Sequence, residues 1–143
     1  MVDPERQERI ARALPRALAL ILRAQRVPKP RNHQGGWRYH PGSRDSDTSC
    51  SGWALMALRS AKLNGAAVPD KAIEDAVAYL YRHHDPRQGC FGYSNTSSHK
   101  ESLTGMGLLC LQYVAEILRI ASGEGEGPAL NAHGLKDIEG MAD

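Results

Sequence analysis

The sequence predicts an all-α fold, and three observations carry that prediction. Apolar residues recur at helical spacing in four segments, and no segment shows the strict apolar–polar alternation of a half-buried strand. The four segments alternate in kind: one-faced, apolar nearly all round, one-faced, apolar nearly all round. An inner row of buried helices beneath an outer row of amphipathic ones satisfies that alternation.

The first helix is expected over 5–26. Ile10, Leu14, Ala17, Leu18, Ile21 and Leu22 form its stripe, while Arg9, Arg12, Arg16 and Arg23 occupy much of the rest. Pro15 either kinks this helix or opens a second one at its first turn. Residues 27–46 hold three prolines and three glycines and read as a loop. The second helix, over 48–64, is apolar on every side from Gly52 to Leu58, and Gly65 is its stop. A third follows Pro69 and Asp70, with Ile73, Ala76, Val77 and Leu80 spaced i, i+3, i+4, i+7. Residues 85–97 are a second loop. The fourth helix, 100–121, is again apolar nearly all round. Leu55, Leu58, Leu108 and Leu111 are expected in the core, as are Trp53 and Met106. The tail, 122–143, opens on the Gly-rich run SGEGEGP and carries a short helical pattern over 129–139.

Composition bounds the function. A chain of 143 residues with 41% hydrophobic and 24% charged residues is one ordinary domain, here 1–121, rather than a disordered arm. A net charge of +2, with no long basic block, argues against a nucleic-acid partner. The longest apolar run near the start, 17–22, is too short for a signal peptide, and nothing approaches the ~20 residues of a membrane span. Three cysteines, Cys50, Cys90 and Cys110, with no CxxC pair suggest reduced thiols and a cytoplasmic location. Cys90 and Cys110 are expected to be inert small hydrophobes.

Two stretches resemble each other. GGWRY (35–39) leads through a loop to SGWALMAL (51–58), and GCFGY (89–93) leads to TGMGLLCL (104–111). The loop parts are 54 residues apart (35 to 89) and the helix parts 53 (51 to 104). Such a period marks a helical repeat array, with units at about 35–65 and 89–121.

The run GGWRYHPGSRDSDTSCSGWALMALRSA resembles the prenyltransferase/squalene oxidase repeat. That repeat builds the α/α toroids of squalene and hopene cyclases and of protein prenyltransferase β subunits. The resemblance covers about 34–120 and implies a partial toroid: either a fragment, a small relative that assembles from copies, or a subunit. The family's catalytic patterns are broken. Where cyclases carry Asp-x-Asp-Asp, this chain has Asp45-Ser46-Asp47-Thr48, so Asp45 and Asp47 are the only candidate catalytic acids. Where prenyltransferases hold zinc by Asp, Cys and His, Ser49 stands at the thiolate position and Leu103 precedes Thr104 in place of the histidine. No metal and no cofactor are expected; a displaced zinc set would be Asp47, Cys50 and His99.

The resemblance therefore implies a non-catalytic module for an isoprenoid-like small molecule or a partner protein, with homo-oligomer formation as the way to close the array. The alternative is an enzyme completed by further repeats. The expected ligand site joins Trp37, Tyr39, Phe91 and Tyr93 of the two loops to Asp47, Ser49, His99 and Glu101 at the adjoining helix starts. Structural roles compete for the same residues. Asp47 or Thr48 suits an N-cap, and Ser98-His99-Lys100-Glu101 matches a capping box. Trp37 and Tyr39 suit packing of the loop against helix ends. His83 and His84 read as a solvated pair.

Overall fold

The computed structural model describes residues 3–98 and 100–121, with 116–121 as backbone only. His99 and the tail 122–143, including the helical pattern over 129–139, lie outside the described residues. The chain is mostly helical: α1 (Pro4–Gln25), α2 (Thr48–Leu63), α3 (Asp70–Arg82) and α4 (Glu101–Ala121). A two-residue hairpin, β1 (His84–Asp85) against β2 (Cys90–Phe91), sits inside the second loop. With an isolated antiparallel bridge between Trp37 and Asp47, it is a small departure from the all-helical expectation.

Local chemistry sets the ends. Asp3 caps α1, and Pro15 lies within a single helix. Asp47 Oδ1 accepts the Cys50 N–H at 2.8 Å and so caps α2. Gly65 ends it by donating to the Lys62 carbonyl at 3.0 Å. The capping box expected at α4 does not form. Its helix begins at Glu101, the Ser98 amide donates to Asn95 Oδ1, and the Ser98 hydroxyl accepts from the Tyr93 amide. Ser98 closes the loop behind it instead.

α2 and α4 pack against each other as expected. Gly52 makes the approach close: a Cβ there would meet the Met106 side chain at 2.5 Å. Leu55, Leu58, Leu111 and Val114 are buried in the resulting core, joined by Ile73, Ala76 and Leu80 from α3. α1 contributes Leu18, Ile21 and Leu22 from its second half, while Ile10 and Leu14 stand exposed.

Three expectations about burial are corrected. Trp53 is 65% exposed and Leu108 is 51% exposed. On α2 the buried positions are 48, 51, 52, 55 and 58, which leaves 53, 57 and 60 on the solvent side. On α4 they are 103, 107, 110, 111 and 114, so Leu108 lies off the core face. A helix that is apolar all round needs neighbours all round, and among the described residues each of these has them on one side. The third correction is His83, which is fully buried rather than solvated. Its ring lies 4.3 Å from that of Tyr79, and its carbonyl accepts the Gly92 N–H at 2.9 Å.

That burial makes His83 a source of acid sensitivity. Desolvation, the leading cause, holds its pKa below the ordinary 6.5. The unfolded chain then binds this proton more readily than the native one, so stability is full above about pH 6.5 and declines as pH falls below it. Urea midpoints measured at pH 7 and pH 5 are expected to fall with acidification, and the fall should be smaller in His83→Gln.

Candidate functional site

The repeat seen in the sequence has a structural counterpart down to single hydrogen bonds. The Trp37 amide donates to Ser51 Oγ at 2.9 Å, and the Phe91 amide donates to Thr104 Oγ1 at 3.2 Å. Gly35 and Gly89 occupy equivalent places and both have left-handed backbones, at φ +82° and +63°. Each loop is thus a glycine turn whose aromatic residue is pinned to the first turn of the helix that follows it. The units are then tied across: the Thr48 amide donates to the Tyr93 carbonyl at 2.8 Å, and Thr48 Oγ1 to the Gly92 carbonyl at 2.6 Å.

This lattice brings part of the expected site together. The Tyr39 and Tyr93 hydroxyls share a hydrogen bond at 3.2 Å. Between the rings sits the Arg38 guanidinium, 5.6 Å from one centroid and 5.5 Å from the other. Arg38 also bridges to Asp47 at 3.1 Å and to Asp45 at 3.4 Å. Tyr39 projects into solvent instead of packing down the loop, and Tyr93 is half-buried. The Tyr93 hydroxyl is pushed up to about 12, first by its bond to Tyr39 and then by desolvation and the nearby Asp47. It therefore stays protonated at neutral pH, a hydrogen-bond donor rather than a base.

Two of the four loop aromatics go elsewhere. Trp37 is buried and donates its indole N–H to the Ile21 carbonyl at 2.8 Å, which fastens the loop to α1. Phe91 is buried under α4, where the absent Cβ of Gly107 makes room for its ring. Of the polar candidates, Asp47 is fully buried, Ser49 is half-buried and Glu101 is exposed at the start of α4. His99 is outside the described residues, so the displaced zinc set is reduced to Asp47 and Cys50 among those described. Burial, helped by the thiol's hydrogen bond to the Asp47 carboxylate, pushes the Cys50 thiol up to about 11. Both Asp47 oxygens are occupied, one by the α2 amide and one by Arg38.

Sequence reasoning passed over Arg38, the residue that links both tyrosines to both acids. The available signal was its place inside GGWRY, an arginine flanked by aromatics two and three residues after a glycine turn.

Away from this rim, Trp53 and Ala57 on α2 and Leu108 on α4 are exposed, and Met56 and Leu109 are half-buried. Among the described residues of α2 and α4, the exposed large hydrophobic side chains are Trp53, Leu63 and Leu108. No family model, no curated protein and no solved structure matches this chain, so a functional reading rests on its own residues.

Proposed function

We propose that the chain is a non-catalytic binding or assembly module of the prenyltransferase/squalene-cyclase-like repeat kind. Its inner helices would serve as one side of an apolar surface for an isoprenoid-like ligand or a partner protein. The observation that carries this reading is the exposure of Trp53 on α2 and Leu108 on α4, helices whose opposite faces form the core. Exposed apolar side chains of this size supply contact area to a partner, and a partner that covers both would bury them together. The tyrosine–arginine rim at the N-terminal ends of the same helices supplies hydrogen-bond donors for a polar head or a main-chain carbonyl. Two units do not close a ring, so further copies or a partner subunit would complete the array. Three free thiols suit a reducing compartment such as the cytoplasm.

An enzyme completed on assembly has no comparable support, because Asp45 and Asp47 are both engaged by Arg38. Trp53→Ala separates binding from folding. It should change stability by no more than about 0.5 kcal/mol, as substitutions at exposed positions do. It should also weaken self-association, measured by light scattering, or farnesol binding, followed by thermal melting. A variant that associates and binds like the parent chain would remove the α2–α4 surface from consideration.

A further inference from the structure

A concavity lies where the end of α1, the segment 26–35 and one side of α3 meet. Its volume is about 430 Å³. Four cationic side chains line it: Arg26, Lys29, Lys71 and Arg82. The single carboxylate in the lining, Asp75, is already bonded to Lys71 one turn earlier on α3.

The other three cations have no carboxylate within 4.0 Å among the described residues. Lys29 is only 8% exposed. Its ammonium donates to the carbonyls of Ala24 at 2.8 Å and Gln25 at 3.3 Å, at the C-terminal end of α1. Arg82 is half-buried and donates to the Gln34 carbonyl. Neutral carbonyls hold both cations in position, while the carboxylates that attract them, Asp45 for Lys29 and Asp75 for Arg82, stay beyond ion-pair distance. Gly35 forms part of the wall, with its backbone pressed against the Asp75 carbonyl.

Withdrawing cations from water without a counter-charge is unfavourable unless an anion is admitted. A concavity with positioned donors and excess positive charge offers that anion charge-assisted hydrogen bonds. We infer that this α1–α3 cleft binds a phosphate-class anion, presented either as a free phosphate or diphosphate or as a phosphorylated headgroup. The inference is independent of the reading given to the Trp53 surface.

The test is calorimetric titration of the full chain with sodium pyrophosphate at low ionic strength. A parallel arm uses sedimentation with phosphatidylcholine vesicles, with and without phosphatidic acid. Arg26→Gln and Lys71→Gln alter exposed side chains and should leave the melting temperature close to that of the parent. Each should weaken binding by about tenfold, the lower end of the scale of one charged hydrogen bond. Arg12→Gln, a cation on α1 outside the cleft, should leave it unchanged. Saturable pyrophosphate binding with this pattern identifies a soluble anion. Phosphatidic-acid-dependent sedimentation with the same pattern, without pyrophosphate binding, identifies a headgroup. Absence of both up to about 10 mM anion, or equal losses in Arg12→Gln, overturns the inference.

Discussion

Gly35→Ala is expected to destabilise the fold by about 3–5 kcal/mol, the sum of two penalties. The residue sits at φ +82°, a backbone conformation that disfavours any side chain. A Cβ there would lie 2.0 Å from the Asp75 carbonyl oxygen, a backbone atom that cannot swing aside. Relief requires the loop to lift from α3, and the Gln25 bond to the Gly35 carbonyl would be strained with it. Gly89→Ala is the control, since it has the same backbone sign at φ +63° but nothing within 4 Å of the added carbon. It should lose only the conformational part, about 1–2 kcal/mol. Urea denaturation of both variants checks the difference; equal losses would contradict the close docking of loop on helix.

Asp47→Ala is expected to remove about 2–4 kcal/mol by a different route. One oxygen caps α2, a role worth about 1 kcal/mol, and the other holds Arg38. Truncation leaves the Cys50 amide without its acceptor and Arg38 with only the more exposed Asp45. Because Arg38 retains some access to water, the loss stays below that of a fully sealed ion pair. Asp47→Asn keeps an acceptor for the cap and should recover about 1 kcal/mol of the deficit. Denaturation midpoints across the three proteins apportion the two roles.

The helices were legible because helical spacing, Asp47 and Gly65 are local signals, each readable within one or two turns. The meeting of Tyr39 with Tyr93 was legible too, because a repeat period brings equivalent positions side by side. Trp53 and Leu108 were misread for a physical reason. Periodicity shows that a helix is apolar on several faces, but which face meets a neighbour depends on how many neighbours there are. Gly52 directs α2 toward Met106 and so turns the adjacent Trp53 outward. His83 was misread because its surroundings include His33 beside the ring and Gly92 on its carbonyl, loop residues that no local pattern connects to it. Arg38 has Tyr39, Asp45 and Asp47 nearby in its own loop, but it gains Tyr93 only when the second loop arrives, 54 residues beyond Tyr39.

The bonds from Thr48 to Gly92 and Tyr93 also bear on the order in which the molecule is built. They join the first turn of α2 to a stretch made 44 and 45 residues later, so the first unit is left unfinished until the second is present. A chain still emerging during synthesis can coil α2 and α3 yet has no acceptors for the Thr48 amide and hydroxyl. Closing a loop of that length carries an entropic cost before any contact repays it. The first unit therefore completes its hydrogen bonding only once the second loop has been made, so the two units are finished together, not as beads completed in turn.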